Sequence, residues 1–368
     1  MKFKTYIMED AIEEIIDYRG KTPKKSDSGI PTLSAKSVKN NHIDYSSCYY
    51  ISPDEYKRFM VRGFPKIGDV LLTTEAPMGV VARLDRDDVA IAQRLLTLRG
   101  KENVLDNEYL LYFLQSSSGQ SLLRARETGT TVTGIKQAEF RKIQINIPEI
   151  SIQKKIGRFL RVLDEKVEIN NKINENLAYQ AQAIYQQLFV TEANPDWPLG
   201  HLSDLIDIKY GKDHKKLADG TYPVYGSGGI MRYVERPLYE KESVLIPRKG
   251  TLNNVMYVNQ PFWSVDTMFY TEMKQANIAK FVYHYVKSKD LVSMNAGSAV
   301  PSMTTAILNA MELKIPSEEV LLQFENSIAP MYEMIKKNEE QSRKLAALRD
   351  TLLPKLMSGE IDVSNLDL

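Results

Sequence analysis

The sequence predicts an α+β protein made of two similar mixed α/β domains, each followed by one long α-helix. Three observations lead to this prediction. The chain has 368 residues, enough for about two to three domains. Short motifs recur in the same order in both halves, and each half closes on a long heptad-like stretch. We expect the two helices to pack as an antiparallel coiled coil with pseudo-twofold symmetry.

The composition excludes several classes of protein. Lys and Arg number 48 against 47 Asp and Glu, 43% of residues are hydrophobic, and Cys48 is the single cysteine. An ordinary apolar fraction excludes wholesale disorder, and one thiol excludes a disulfide framework or a cysteine zinc site. The histidines are scattered, with no pair at ligand spacing. The net charge of +1 gives no support for nucleic-acid binding unless the basic residues are clustered.

The sequence also argues against a membrane protein. The N-terminal segment carries acidic residues where a signal peptide needs an apolar core. No uninterrupted apolar run reaches the ~18 residues of a membrane span. We therefore expect a soluble, cytoplasmic protein that has no membrane partner.

The sequence contains an internal repeat. Ile15–Lys21 and Leu205–Lys212 both place two apolar residues, Asp and a basic residue before Gly-Lys, and both copies later close on Ile-Pro at Pro148 and Pro316. The copies are offset by 211 − 20 = 191 residues near their starts and by 316 − 148 = 168 at their ends. The second copy therefore lacks 191 − 168 = 23 residues internally. Chance similarity of short motifs is the alternative, and the conserved order argues against it.

The segment after each Ile-Pro has the strongest periodicity in the chain. Apolar residues recur in alternating steps of four and three, the a/d pattern of a coiled-coil seam. Some forty residues make a helix of ~55–60 Å, which needs a partner along its stripe, and the other copy is the obvious one. The predicted seam comprises Ile156, Leu160, Leu163, Val167, Asn170, Leu177 and Ile184 in the first helix and Phe324, Ile328, Met331, Ile335, Asn338, Leu345 and Leu352 in the second.

Two asparagines occupy equivalent seam positions, because 338 − 170 = 168. A seam asparagine costs stability but can fix the register and the choice of partner. Chance placement of a surface asparagine is the alternative at each site.

The ends of the helices are predicted by breaker residues. Proline precedes each helix, where a missing N–H costs nothing. Asn194–Pro198 follows the first helix, and Ser358-Gly359 is a plausible cap for the second. We divide the chain into a first domain, a first helix, a second domain, a second helix and a C-terminal tail, at residues 1–148, 149–191, 192–316, 317–359 and 360–368.

Local sequence patterns predict strands and short helices within the domains. Asp69–Leu84 and Ser243–Val258 are each two short β-rich runs around a Gly- and Pro-containing turn or its equivalent. Asn107–Ser116 and Ala279–Ser288 are predicted as short helices. We also expect an opening helix just before the motif DYRGKTP.

No constellation of catalytic residues is present. The sequence has no phosphate-binding Gly-x-x-x-x-Gly-Lys-Ser/Thr, no G-x-G-x-x-G after a strand, no G-x-S-x-G and no H-E-x-x-H. Asn194–Trp197, with the sequence NPDW, is close to the Asn-Pro-Pro-aromatic loop of amino-methyltransferases, but Asp replaces the second proline. We interpret it as the interdomain turn. The sequence therefore predicts no catalytic site, metal site or cofactor in this chain.

The loops instead gather basic, small polar and glycine residues at matching places in both copies. Such groups bond to phosphates, and the side chains of Gln93, Arg94, Arg248 and Asn253 suit bidentate contacts to bases. Solvated loops of ordinary composition are the alternative for any one of them. The candidate DNA-binding residues are Arg19, Lys21, Lys24, Lys25, Lys36, Thr74, Gln93, Arg94, Thr130, Thr131 and Lys136 in the first domain and Lys212, His214, Lys215, Tyr225, Ser227, Arg248, Lys249, Thr251, Asn253, Ser298 and Ser302 in the second.

In this arrangement the chain resembles the specificity (S) subunits of type I restriction-modification systems. The resemblance covers essentially the whole chain. It departs from the family pattern at KYGKDHKK, where Gly-x-Thr-Pro is frequent. It depends on the order of five motifs: DYRGKTP, GDVLLTTEAPMG, INIPEISIQKKIGRFL, WPLGHLSDLIDIKYGK and LAALRDTLLPKLMSGEI.

The resemblance implies a function for each part. Each domain would be a target recognition domain for one half of a bipartite site in double-stranded DNA. The helices would act as a spacer and dock two methyltransferase (M) subunits, which bind S-adenosylmethionine and methylate adenine N6. Restriction (R) subunits would add ATP- and Mg²⁺-dependent translocation and cleavage. The S chain itself would be non-catalytic, with these cofactors in the partner subunits.

Two other classes of function remain as alternatives. The first is a protein-interaction scaffold, with two adhesive domains on a coiled coil and no nucleic acid. The second is a self-contained methyltransferase-nuclease, against which the missing nucleotide-binding and carboxylate motifs argue.

Overall fold

The computed structural model describes residues 1–129, 133–294 and 302–365. The chain packs as two units, one formed by Met1–Asn171 together with the chain from Glu339 onward, and the other by Lys172–Asn338. Each unit thus contains one domain and a part of both long helices. Each is described by itself below.

The first domain is built from three small sheets and a hairpin. The four-stranded sheet has the order β2-β10-β7-β8, beside the pair β1-β11, the three-stranded sheet β6-β3-β9 and the hairpin β4-β5. The strands are β1 (Phe3–Ile7), β2 (Ile12–Asp17), β3 (Ile30–Leu33), β4 (Val38–Lys39), β5 (His42–Ile43), β6 (Tyr49–Ile51), β7 (Val70–Thr73), β8 (Val81–Arg83), β9 (Ala90–Ile91), β10 (Leu95–Gly100) and β11 (Gln144–Pro148), and the helices are α1 (Met8–Ala11), α2 (Pro53–Phe59), α3 (Asn107–Gln115), α4 (Ser117–Arg124) and α5 (Gln137–Arg141).

The second domain repeats this plan, which confirms the internal duplication. Its sheets have the orders β13-β19-β16-β17, β12-β20 and β15-β14-β18, strand for strand the same arrangement as in the first domain apart from the hairpin. The strands are β12 (Leu199–His201), β13 (Ile206–Tyr210), β14 (Asp219–Gly226), β15 (Gly229–Val234), β16 (Ser243–Pro247), β17 (Met256–Val258), β18 (Trp263–Ser264), β19 (Met268–Met273) and β20 (Glu312–Lys314), and the helices are α7 (Leu202–Leu205), α8 (Ala279–Lys287) and α9 (Thr305–Asn309).

The structure confirms most local predictions and corrects one. The predicted β runs are β7 with β8 and β16 with β17, and the predicted short helices are α3 and α8. The expected opening helix is wrong, because α1 is a single turn and β2 follows it at once. Pairing of β2 with β10 explains this, since Ile12 and Ile16 are buried on that strand. Tertiary burial thus overrides a sequence that could form a helix.

The long helices begin after the two prolines, as predicted. Helix α6 spans Ile150–Gln186 and continues into a π-helical turn at Gln187–Thr191, and α10 spans Glu318–Ser358. Gly359 follows α10 with a φ of 80°, which confirms the glycine cap. The residues beyond it form more than a loose tail, because Val363 is buried in the core of the first unit.

The predicted seam faces inward on both helices. None of its residues is exposed, whereas the exposed large apolar residues of the helices, among them Val162, Ile169 and Leu348, lie outside it. In the first unit Asn170 Nδ2 donates to Ser342 Oγ at 3.2 Å. In the second unit Asn338 Nδ2 donates to Asn174 Oδ1 at 2.8 Å. Within each unit, residues later in α6 contact residues earlier in α10, so the two helices run antiparallel there.

Each domain core continues into the helices. In the first unit Ile156 and Leu160 of α6 and Leu356 of α10 pack with the core of the domain. In the second unit Phe324 and Ile328 do the same. Full burial of each such side chain stabilises the fold by roughly 1.5–3 kcal/mol, so the helices are integral parts of each unit.

Candidate nucleic-acid interface

In the first domain the candidate residues are positioned by the turn that follows β7. The Thr74 amide donates to the Arg94 carbonyl at 3.0 Å, and the Ile135 amide donates to the Thr74 carbonyl at 2.9 Å. These bonds hold three segments that are far apart in sequence side by side. The turn continues through a cis Ala76–Pro77 bond before β8 begins.

The segments at Thr74 and Ile135 help to line a cavity of about 120 Å³ that contains three predicted residues. Its lining includes Arg19, Thr74 and Lys136, with Glu75 between them. Glu75 Oε1 is 2.7 Å from Arg94 Nε, and the Arg94 side chain is 52% exposed. Arg94 also has a φ of 71°, a conformation that side-chain-bearing residues rarely adopt. The strain indicates that the surrounding bonds fix the position of this arginine.

Other predicted residues of the first domain lie outside this cavity. Lys24 and Lys25 line a separate cavity of about 430 Å³ together with Glu55 and Arg58. Lys21, Lys36 and Gln93 are exposed on the surface. Thr130 and Thr131 lie outside the described residues.

The second domain presents the same backbone frame after β16. The Arg248 amide donates to the Thr267 carbonyl at 2.9 Å, and the Met303 amide donates to the Arg248 carbonyl at 2.9 Å. Lys249 and Ser302 form the bridge that Glu75 and Gly134 form in the first domain. Arg248 is therefore equivalent to Thr74 and Lys249 to Glu75. The position of Arg94 is taken by Thr267.

Arg248 is oriented by an aromatic ring. Its guanidinium lies 5.3 Å from the ring centroid of Tyr210, within range of a cation–π interaction. Gly250, with a φ of 86°, lies against Ser227, whose Oγ would be 2.6 Å from an added Cβ. Asn254 Nδ2 donates to the Ser227 carbonyl at 2.7 Å. Predicted residues Arg248, Lys249, Ser227 and Ser302 thus come together.

The remaining predicted residues of the second domain have varied surroundings. Asn253 bonds internally, donating to Asp290 Oδ1 and accepting from the Val292 amide, each at 3.2 Å. The Tyr225 hydroxyl accepts from Gln260. Lys212, Lys215 and Thr251 are exposed and His214 is half-buried. Ser298 lies outside the described residues.

Sequence reasoning missed three residues of these sites. Glu75 and Tyr210 both lie inside loops that the sequence singled out, but an acidic and an aromatic residue did not fit a search for phosphate-binding groups. Asn254 adjoins a residue that was chosen. The signal that could have found them is alignment of the two copies, because the strands place Glu75 opposite Lys249 and the shared Gly-Lys motif places Tyr210 opposite Arg19.

The two sites have the chemistry of anion and hydrogen-bond recognition. Each combines cationic side chains with backbone amides and small hydroxyl residues on a rigid frame. Across 1–129, 133–294 and 302–365, no group of His, Cys, Asp and Glu residues is arranged to hold a metal ion. None of the described helices is long and apolar enough to cross a membrane.

Comparison with known proteins identifies relatives along nearly the whole chain. A family model described as the type I restriction modification DNA specificity domain matches residues 8–179 and 194–327. The type I restriction enzyme MjaIX specificity subunit of Methanocaldococcus jannaschii is 24% identical over 383 residues, which cover 92% of this chain and 88% of the relative. The HindI specificity subunit of Haemophilus influenzae is 20% identical, covering 80% and 87%. The crystal structure of a type I S subunit from M. genitalium superposes with a TM-score of 0.66 at 19% identity, covering 97% and 96%.

Proposed function

This chain belongs to the type I restriction-modification DNA specificity family, and we propose that its two domains each recognise one half of a bipartite site in double-stranded DNA. The chain supplies recognition and no catalysis. In this proposal S-adenosylmethionine, ATP and Mg²⁺ are bound by partner subunits.

One observation carries the proposal. Both domains place cationic side chains on the same backbone frame. The frame follows β7 in the first domain and the equivalent strand β16 in the second. Because the side chains on the two frames differ, the two sites have equivalent positions and different chemistry. That combination is expected of two domains that bind one kind of ligand with different sequence preferences.

The site residues divide into two roles. Arg94, held by Glu75, and Arg248, stacked on Tyr210, are fixed in orientation and suit bidentate contacts to guanine O6 and N7. Arg19 and Lys136 on the cavity rim are exposed and suit phosphate oxygens, which position a duplex without specifying its sequence.

The helices are proposed to dock two methyltransferase subunits. Val162 and Ile169 lie seven residues apart on the part of α6 that belongs to the first unit, and their exposed fractions are 54% and 49%. This spacing places them on one helix face. Exposed apolar side chains on one helix face support a partner interface there. Restriction subunits would join through the methyltransferases or beside them.

The proposal is tested with the chain co-expressed with the methyltransferase subunit of its own system. We expect genomic adenine methylation at one split motif, and DNA binding by the purified complex that weakens steeply with salt. Methylation at a continuous motif would contradict the bipartite part of the proposal. Absence of any salt-sensitive DNA affinity would favour a protein-interaction scaffold instead.

A further inference from the structure

Each domain meets the long helices through a polar joint, and the two joints occupy equivalent positions. Helices α3 and α8 are equivalent, since each follows the equivalent strand β10 or β19, and this pairs Tyr112 with His284. On the long helices the offset of 168 pairs Asp164 with Tyr332, because 164 + 168 = 332. Tyr112 contacts Asp164 and His284 contacts Tyr332. The same two positions therefore touch in both units.

In the first joint one member of the bonded pair carries a charge. The Tyr112 hydroxyl donates to Asp164 Oδ2 at 2.7 Å, and Asn41 Nδ2 donates to the same oxygen at 2.9 Å. Arg349 Nη1 of α10 donates to Asp164 Oδ1 at 2.6 Å. The Asp164 side chain is 5% exposed, so its charge depends on these donors.

In the second joint the equivalent pair is neutral. His284 Nδ1 lies 2.7 Å from Gln182 Oε1, and the Tyr332 hydroxyl lies 3.0 Å from His284 Nε2. A neutral imidazole satisfies both, because Nδ1–H donates to the amide oxygen and Nε2 accepts from the hydroxyl. Burial, with a smaller effect of Lys287, lowers the pKa of His284 to about 3.

A second pair of equivalent positions differs in charge. In the second joint Lys280 Nζ lies 2.6 Å from Glu325 Oε1, and the Lys280 side chain is only 5% exposed. In the first joint the matching positions hold Glu108 and, since 325 − 168 = 157, Gly157. An added Cβ on Gly157 would lie 2.9 Å from both Glu108 Cβ and the Tyr109 amide nitrogen. Glu108 instead pairs with Arg83 inside its own domain, at 2.6 Å.

Exchange of the domains would make both joints unfavourable. The second domain seated at the first joint would bury Lys280 over Gly157 and remove its carboxylate partner on the helix at 2.6 Å, leaving it with Glu242 of its own domain at 3.5 Å. The first domain seated at the second joint would bring Glu108 against Glu325. Apolar contacts would not discriminate in this way, because equivalent positions such as Leu160 and Ile328 match in kind.

We propose that these polar joints are pairing determinants that seat each domain on its own part of the helices. They fix which domain occupies which end of the spacer. With the proposed function, on which this last step rests, they also fix the order of the two half-sites. A domain moved to the other joint requires the matching helix residues to move with it.

The test is a pair of full-length chains in which residues 1–148 are replaced by a second copy of residues 192–316. One version keeps the native helices. The matched version copies the second joint onto the first through Gly157→Glu, Asp164→Tyr, Arg349→Ala and Asp350→Gln, which reproduce the residues at 325, 332, 181 and 182.

We expect the native-helix version to melt roughly 10 °C below the matched version, because the buried Lys280 loses its close carboxylate partner on the helix. Equal melting temperatures, whether high or low, would overturn the proposal. Melting is measured without DNA, so a failure of the proposed DNA recognition leaves this outcome readable. Where DNA is recognised, the matched version should methylate a site with the second half-site on both sides.

Charge reversal in the otherwise native chain gives a second measurement. Lys280→Glu places a carboxylate beside Glu325 and Glu242 and should lower the melting temperature. Adding Glu325→Lys should recover most of the loss. Exposed Lys216→Glu on the same domain serves as the control and should have little effect. A double variant as unstable as Lys280→Glu alone would contradict a pairing role.

Discussion

At the scale of single residues, the two candidate sites share a backbone frame and differ in side-chain chemistry. Arg94 and Arg248 look like counterparts in the sequence, but they occupy different positions of the common frame. Arg94 immediately precedes β10, and Arg248 immediately follows β16. Each has its own support, Glu75 for Arg94 and Tyr210 for Arg248. The two arginines therefore approach a ligand from different segments.

Removal of either arginine should affect one half-site. We expect Arg94→Ala and Arg248→Ala to weaken specific DNA binding by about 1–3 kcal/mol, since each loses one bidentate base contact. Sequence preference should relax in only one half of the site for each variant, as measured by methylation mapping or by binding to randomised sites. Arg86→Ala and Arg236→Ala, which change surface arginines outside the two frames, are the matched controls. A loss that is uniform across sequences would mean that the arginines contact phosphates only.

The buried histidine predicts a pH dependence of stability. Burial lowers the pKa of His284 to about 3, whereas the unfolded chain binds the proton near pH 6.5. Stability from the neutral imidazole is complete above pH 6.5 and is lost as the pH falls towards 3. The neighbours Tyr185 and Tyr332, whose pKa values burial raises, do not ionise in this range.

Urea unfolding measures this effect. Between pH 7.5 and 5 we expect the wild type to lose about 2 kcal/mol more unfolding free energy than His284→Gln, which has no titrating group at this position. Parallel pH profiles for the two proteins would show that the imidazole does not remain neutral in the fold.

At the scale of elements, close packing of helix on helix positions each domain. The first turns of α6 approach the start of α3 at Gly157, where no side chain intervenes. In the second unit the equivalent position is Glu325, which reaches Lys280. Equivalent elements thus meet through a backbone contact in one unit and through an ion pair in the other.

The Gly157→Ala variant distinguishes the effect of close helix packing on stability from the effect of helix propensity. In an unconstrained helix interior this change stabilises by about 0.5–1 kcal/mol. Here the added Cβ would lie 2.9 Å from the Tyr109 amide nitrogen, so we expect a net loss of about 1–3 kcal/mol in denaturant unfolding. Gly228→Ala, whose added Cβ meets nothing within 4 Å, should be close to neutral. An increase in stability for Gly157→Ala would exclude close helix contact.

At the scale of the whole molecule, the distribution of charge explains how a nearly neutral chain can recognise DNA. Its acidic residues offset the basic loops, and Glu75 pairs directly with Arg94 in the first site. The total of +1 therefore says little about local charge. Partner subunits would add further contacts to the DNA backbone.

The length of the long helices should set the number of unrecognised base pairs between the two half-sites. We expect insertion of one heptad into each helix, after Asn171 and after Asn338, to lengthen the gap by ~3 base pairs, because seven residues add ~10 Å of helix. Both half-sites should stay unchanged in a methylation map. Altered half-sites with an unchanged gap would contradict a spacer role. Seven residues inserted after the exposed Glu240, outside both frames, are the control.

The sequence determined the larger features of this protein by itself. These features are the duplication, the two long helices, their inward seam, and the proline and glycine signals at the helix ends. All of them are periodic or local patterns, and such patterns can be recognised in the sequence without knowledge of the tertiary structure. The loops that carry Arg94 and Arg248 were also identified, since loop composition is local.

Only the tertiary structure decided which of those loop residues act together. Thr74, Arg94 and Ile135 are joined by two backbone hydrogen bonds between distant segments, and Lys24 and Lys25, equally basic in sequence, lie in a different cavity. It likewise turned the expected opening helix into a strand and brought Asp164 to Tyr112. The physical reason is the same in each case. Burial and hydrogen bonding are properties of neighbours in space, and those neighbours are chosen by the packing of the whole unit rather than by spacing along the chain.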